Sequence, residues 1–391
     1  MNKKSSGAIL GAAFLMATSA IGPGFLTQTT RFTSELLASF GFVIFISLLL
    51  DIGAQVNIWR IITVSNKRAQ DVANSLVPGL GLALAVLIGF GGLVFNVGNI
   101  GGTGLGLNAL TGMDVKAGAI ISCLFSLGIF WYKQAGKAID LFVKILGLLM
   151  ILFTTYIAFT SQPPIAEALY RTVWPQMIDE LKIVTLVGGT VGGYISFAGA
   201  HRLLDAGIHG KESLPQVTQS AVSGILITSV MRFVLFFAAL GVVVHGAKLS
   251  DTNPAGSVFQ AAAGEVGYRF FGFVMWAAAI TSVVGASYTS VSFFKTLHPF
   301  IEKNTRVIVS LFIVASTVIF LFFNNPTGLL IAAGAVNGLI LPIALAVILL
   351  AANNRKIIGE YRHPVWMQVA GWIVVVAMSY MGWVSLVRLW S

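Results

Sequence analysis

Two short glycine-rich runs hold the most specific chemistry in this chain. The first is Ile21-Gly22-Pro23-Gly24-Phe25-Leu26-Thr27-Gln28, and the second is Gly188-Gly189-Thr190-Val191-Gly192-Gly193-Tyr194. Each interrupts an apolar stretch long enough to cross a bilayer. Gly and Pro weaken a helix, so main-chain groups lose their partners at membrane depth. Such groups are tolerated only where protein, water or a bound solute satisfies them. Two breaks at corresponding places in two halves of a chain point to a transporter's binding site. Free N–H groups, helix N-termini of positive partial charge and glycines open to close approach suit a carboxylate or another small anion. Thr27, Gln28, Thr190, Tyr194 and Ser196 are the polar side chains able to orient it. The competing explanation is that these glycines only let helices pack closely. The doubled pairs at 188–189 and 192–193, set against Gly-Pro-Gly, favour unwinding.

Ionisable groups within apolar segments are costly and therefore mark function. Asp51 lies within Leu48-Leu49-Leu50-Asp51-Ile52-Gly53, and Arg232 lies in the repeat-equivalent segment. Two roles stay open: the two residues pair, or Asp51 titrates as a proton carrier. Arg31 and Glu35 are spaced i, i+4 and are expected to pair with each other at an outer vestibule. An Arg31 facing the cavity would instead steer or bind an anionic solute. His201, Arg202 and Asp205 end the sixth segment, where an anchored helix end is the plainer expectation and a gate the sharper one. Thr281, Ser282 and Ser287-Tyr288-Thr289-Ser290 offer hydroxyls within a span, where bonding their own helix carbonyls is the commoner role. Asn337 either faces the central cavity or bridges helices. Gly101-Gly102-Thr103-Gly104-Leu105-Gly106 is no nucleotide loop, for it lies within a span and lacks both the Lys-Ser/Thr ending and a preceding strand.

The elements that must position these groups are membrane helices. Of 391 residues, 57% are hydrophobic and 10% charged, against about 25% charged in soluble domains. The formal charge of +10 does not indicate nucleic acid, because Lys and Arg cluster in short loops between apolar spans. The one cysteine, Cys123, excludes a disulfide framework and a Cys-based metal site. Lys3 and Lys4 before an apolar run ending Ala17-Thr18-Ser19-Ala20 imitate a signal peptide. Cleavage there would remove the first half-helix, so the run is expected to stay.

Spans of about 20 apolar residues give eleven segments: 8–37, 41–64, 79–109, 116–132, 139–160, 183–206, 216–245, 256–292, 306–323, 327–351 and 365–389. The first breaks at 22–24 and the sixth at 188–193; the third and eighth are long enough to tilt or protrude. Lys3, Lys4, Arg60, Lys67, Arg68, Lys133, Lys137, Arg202, Lys211, Lys295, Lys303, Arg306, Arg355, Lys356 and Arg362 fall on one side. Lys116, Arg171, Lys182, Lys248, Arg269 and Arg388 fall on the other. The excess places the N-terminus in the cytoplasm and the C-terminus outside an inner or plasma membrane. Segments one to five (8–160) and six to ten (183–351) form two sets of odd number, so a shared fold makes them inverted repeats. The eleventh segment is an addition, and the whole chain is one membrane domain.

Ser19-Ala20-Ile21-Gly22-Pro23-Gly24-Phe25 with Ala38-Ser39-Phe40-Gly41-Phe42 resembles the first helix of the Nramp family, proton-coupled divalent-metal transporters. The resemblance continues through Val94-Phe95-Asn96-Val97-Gly98-Asn99-Ile100-Gly101-Gly102-Thr103, the sixth segment and Leu341-Pro342-Ile343-Ala344, over most of 8–360. It implies an all-α leucine-transporter-type fold with helices 1 and 6 unwound around a central site. In related folds a sodium ion sits between helix 1 carbonyls and helix 8 hydroxyls, and that similarity implies sodium as a second role for Thr281, Ser282 and Ser287-Tyr288-Thr289-Ser290. The departures are as informative. The family's Asp-Pro-Gly-Asn is here Gly22-Pro23-Gly24-Phe25, and its Met-Pro-His matches Gly192-Gly193-Tyr194. Its helix 3 acids, associated with the proton route, match Asn96 and Asn99.

A divalent ion needs charged or polar ligands, and the first break offers none from side chains. The expectation is a secondary transporter of a small carboxylate-bearing solute. The solute would lie among Gly22, Gly24, Phe25, Thr27, Gln28, Gly189, Thr190, Gly192, Gly193, Tyr194 and Asn337. Coupling or gating candidates are Asp51, Arg232, Arg31, Glu35, Asn96, Asn99 and Ser282. Protons or sodium would drive it, with no cofactor, no resident metal and no partner beyond solute and bilayer. The alternative is a Mg- or Mn-type divalent-metal transporter binding a largely hydrated ion. An enzyme is disfavoured: there is no His-Glu-x-x-His, no nucleophile elbow and no paired carboxylates within a span. A channel is disfavoured by the absence of a pore-lining ring of charge.

Overall fold

A computed structural model of the chain describes residues 22–390. The half-segment expected over 8–21, including Ile21, lies outside them. The described chain is helical throughout, because in hydrocarbon each helix satisfies its own main chain. The long helices are α1 (Pro23–Leu36), α2 (Phe40–Ser65), α4 (Leu80–Thr111), α5 (Val115–Trp131), α6 (Lys133–Thr160), α10 (Leu214–Val244), α11 (Pro254–Ser292), α13 (Thr305–Leu321), α14 (Pro326–Ala351) and α16 (Val365–Trp390). The sixth segment is divided into α8 (Glu180–Thr190) and α9 (Ile195–Asp205). Every expected segment with described residues therefore has a helical counterpart.

The expected segments missed the short helices: α3 (Ala69–Leu76), α7 (Ile165–Val173), α12 (Pro299–Lys303) and α15 (Arg355–Ile358). Each is shorter than a span, so a search for apolar runs passes over it. The last part of α6, from Ile145, meets α7 at 105°, so α7 turns sharply away from the helix before it. The excess length of α11 also has a local cause. Ala263 and Gly264 leave helical geometry, and Gly264 takes a φ of +63° that favours glycine.

The core is a broad apolar mass centred on α2, α8, α9, α10 and α14. Phe40, Trp59, Phe197 and Phe236 are buried in it. α16 is joined to this mass by a polar cluster that the sequence did not single out. Arg60 Nε and Nη2 donate to the Tyr361 hydroxyl at 3.1 and 2.9 Å, and Nη1 donates to Thr218 Oγ1 at 2.6 Å. The Tyr361 hydroxyl, its lone pairs so occupied, donates to His363 Nδ1 at 3.1 Å, and His363 Nε2 donates to Asn57 Oδ1 at 2.7 Å. This order requires a neutral imidazole. Burial, aided by the nearby Arg60 charge, pushes His363 down to about 4.

Candidate functional site

α1 begins where a helix can begin with proline. Gly22 is extended at the N-cap, Pro23 occupies the first turn, and the Leu26 N–H bonds the Gly22 carbonyl at 3.2 Å. The second break lies later than expected. Gly188, Gly189 and Thr190 are the last turn of α8, and the chain unwinds over Val191–Tyr194. The correction has a packing cause. A Cβ on Gly188 would sit 1.9 Å from the Gly334 carbonyl oxygen and 2.3 Å from the Gly338 nitrogen. A Cβ on Gly189 would sit 2.5 Å from Gln28 Oε1. These glycines let α8 lie against α14 and α1, which a helix does without unwinding.

The expectation of exposed main chain in the second break is also corrected. The Gly193 N–H donates to the Asn337 carbonyl at 3.0 Å, and the Ile195 N–H to the Gly192 carbonyl at 3.0 Å. The Ser196 hydroxyl donates to the Val191 carbonyl at 2.9 Å, and the Trp59 indole N–H to the Ser196 carbonyl at 2.9 Å. A Cβ on Gly192 would meet the Gly188 carbonyl at 2.2 Å, and one on Gly193 would meet Ile340 at 2.3 Å. The Gly193 N–H and the Val191 and Gly192 carbonyls are thus held by protein, and Tyr194 packs on Phe95 with ring centroids 5.6 Å apart.

What the two breaks share is a side chain. Arg232 of α10 is 2% exposed. Its guanidinium carbon lies 4.5 Å from the Phe25 ring centre, and its Nη1 donates to Thr190 Oγ1 at 2.9 Å. Thr190 in turn donates to the Leu186 carbonyl at 2.8 Å. Arg232 Nε and Nη2 are buried without a partner. The guanidinium therefore bridges the residue after Gly24 and the last residue of α8, with two donors free. Asp51 of α2 is 1% exposed, and its Oδ1 also lacks a partner. α2 and α10 pack against each other, yet Asp51 and Arg232 make no ion pair within 4.0 Å.

The remaining candidates divide between this centre and the packing around it. Gln28 is buried between α8 and α14, donating to the Leu330 carbonyl at 3.2 Å with Oε1 unpartnered. Thr27 is buried on the same helix. Asn337 bridges helices, donating to the carbonyls of Gly91 and Ala333 at 2.9 Å each, and its Oδ1 is unpartnered. Asn96 joins three helices, donating to Ser287 Oγ at 3.0 Å and Ser316 Oγ at 2.9 Å. Asn99 is buried with Nδ2 unpartnered, and Ser282 is half-buried. Ser287 bonds the Val283 carbonyl of its own helix at 2.7 Å and Thr281 the Ala278 carbonyl at 2.9 Å, the plainer of their two expected roles.

Arg31 and Glu35 stand apart, at the far end of α1, and pair at 2.6 Å. Arg31 also bonds Asp251, and Lys182 reaches Glu35 at 3.2 Å, so α1 is tied there to α8 and to the loop before α11. At the opposite end of the molecule His201 is buried, and its Nε2 accepts the Ala69 N–H at 3.1 Å. Arg68 pairs with Asp205 beside it. The end of α9 is anchored against the start of α3, as the plainer expectation had it.

A profile described as "Natural resistance-associated macrophage protein-like" matches residues 13–388. The chain belongs to the Nramp family. Among its Nramp relatives, the "Uncharacterized membrane protein YcsG" of Bacillus subtilis (strain 168) is 58% identical over 387 residues, covering 98% of this chain and 96% of that one. The crystal structure of a manganese transporter of Eremococcus coleocola superposes with a TM-score of 0.73 at 14% identity, over 98% of this chain and 86% of the other. MhsT in complex with L-phenylalanine superposes with a TM-score of 0.58 at 18% identity, over 98% and 97% of the two chains. The fold is the leucine-transporter type, and this Nramp protein is an integral membrane secondary transporter, not an enzyme.

Proposed function

We propose that this Nramp protein carries a small carboxylate-bearing solute, bound at Arg232 between the start of α1 and the end of α8. The observation that supports this most directly is the guanidinium itself. It is buried, held by Phe25 and Thr190, and presents two free N–H donors where the two broken segments meet. A guanidinium is a fork that matches a carboxylate. A buried cation with unused donors is expensive as mere glue. Gln28 Oε1, one turn along α1 from Phe25, is an unpartnered acceptor for a further polar group of the solute.

The same cation weighs against a bare divalent metal. Two positive charges and one, about 6 Å apart at an effective dielectric of about 20, repel by about 5 kcal/mol. Among the described residues no three His, Cys, Asp or Glu side chains gather to hold a metal. The metal reading keeps one argument, the family itself and the fold shared with a manganese transporter. In this reading the chain is a single membrane domain of two inverted repeats, 8–160 and 183–351, plus α16. The basic loops put the N-terminus in the cytoplasm and the Arg31 end outside, and protons or sodium drive uptake.

Thermal stabilisation of the purified protein against small carboxylates and amino acids tests the proposal. A true ligand at a hundred times its dissociation constant adds about 2.7 kcal/mol. Liposomes containing the protein take up no manganese. Saturable manganese uptake competed by cadmium, with no response to any acid, would refute the carboxylate reading and restore the metal one.

A further inference from the structure

We infer that Asp51 is the group that binds a proton when a carboxylate binds at Arg232, making the transporter a proton–carboxylate symporter. The inference deepens the carboxylate reading and rests on it.

A structural salt bridge brings its two charges into contact and satisfies both. This pair does neither. Asp51 and Arg232 are both buried and each retains unpartnered atoms; they lie on α2 and α10, which pack against each other, yet form no ion pair within 4.0 Å. Arg232 spends its one hydrogen bond on Thr190, and its ring contact is with Phe25. It is thus turned toward the breaks, while Asp51 remains on α2. In this inference the empty centre is balanced, with Asp51 ionised against the Arg232 cation. A carboxylate arriving at the free Nε and Nη2 is a second anion against the same cation. An uncompensated carboxylate in a low-dielectric interior neutralises rather than staying charged. Asp51 is the group able to do so. It takes a proton from the solution that delivered the solute, forming an O–H bond on its carboxyl. The site then holds Asp51 neutral, Arg232 positive and the solute negative. The charge of the centre is unchanged from the empty state, and the proton leaves with the solute.

Among the described residues no other charge competes for the role. Arg232 is the only charged residue of α10, and α14 has none. On α2 itself and on the other helices against it, the remaining charges sit toward the ends. Toward the Arg31 end these are Glu35, Glu167, Arg171, Glu180, Lys182 and Arg388; toward the His201 end they are Arg60, Asp71, His201, Arg202 and Asp205. The short segments Lys211–Ser213 and Arg355–Ile358, also against α2, add Lys211, Glu212, Arg355 and Lys356. Among the described residues, Arg232 is thus the one charge midway along the helices packed against α2.

The test uses the full chain in detergent and a fixed set of probes that each carry one negative charge and no positive one: lactate, pyruvate and N-acetylglycine. Thermal stabilisation first identifies a binder. Mixing that binder with weakly buffered protein and a pH indicator then counts protons. The wild type takes up one proton per carboxylate bound. D51N binds the same acid with no proton uptake, and D51E restores it. Should D51N fail to fold, difference infrared spectra of the wild type decide, since binding must give rise to a protonated-carboxyl band. Binding without proton uptake, or undiminished uptake in D51N, overturns the role of Asp51 and leaves the carboxylate site standing. If none of the probes binds, the carboxylate reading falls and takes this inference with it.

Discussion

Replacing Arg232 with lysine separates the shape of the guanidinium from its charge. R232K keeps a cation opposite Asp51, so the balance of buried charge and the fold are retained. What it loses is the fork. In the wild type Nη1 is engaged by Thr190 at 2.9 Å, leaving Nε and Nη2 for the solute while the guanidinium rests 4.5 Å from the Phe25 ring centre. An ammonium on a flexible stem cannot hold Thr190 and present two parallel donors at once. At least one charge-assisted hydrogen bond to the solute is lost, worth about 1.5–3 kcal/mol. That corresponds to about 10- to 150-fold weaker binding. The assay is isothermal titration of the purified protein with the carboxylate that stabilises the wild type, beside an unfolding scan of both forms. R232K is expected to melt within a few degrees of the wild type and to bind more than tenfold weaker. Affinity within threefold of the wild type would refute the assignment of Arg232 to the carboxylate, whatever the solute.

Two further expectations follow from packing and protonation. Gly188→Ala places a Cβ 1.9 and 2.3 Å from main-chain atoms of α14, so it should lower stability by about 1–3 kcal/mol or more. Gly24→Ala meets its nearest atoms at 3.8 Å and should shift the melting temperature little; equal losses in the two variants would show that the α8–α14 contact is not what glycine serves. His363 is pushed down to about 4 from 6.5, so the unfolded chain binds the proton first as pH falls. Its contribution to stability is complete above about 6.5 and is lost as pH drops toward about 4. The melting temperature of the wild type should fall through that window and that of H363Q should fall less; parallel profiles would remove His363 from the account.

The helices and the two breaks were legible because bilayer thickness and glycine chemistry are local properties of sequence. So was the anomaly of Asp51 and Arg232, since a charge in an apolar run is visible without a fold. What could not be seen was where Arg232 reaches. Its partners, Thr190 and Phe25, are distant in sequence, and neither has a type that announces a guanidinium. The place of the second break was misjudged for a different reason. Glycine serves both unwinding and close approach, and the first pair, Gly188 and Gly189, serves approach. The polar cluster under α16 left a faint signal, Tyr361-Arg362-His363 just before a span, but its partners Asn57 and Arg60 lie some 300 residues away. The short helices α3 and α7 fall below the length at which hydropathy discriminates.

The seam between α8 and α14 has a mechanical consequence. Gly188 lies against Gly334 and Gly338, and the Gly193 N–H is bonded to the Asn337 carbonyl. An interface of side chains yields gradually, because rotamers can be exchanged one at a time. A joint of main chain against main chain has no rotamers to exchange. It stays shut or it parts along its length. α8 and α14 therefore behave as one rigid strut, and the transporter has one fewer independently moving part than its helices suggest.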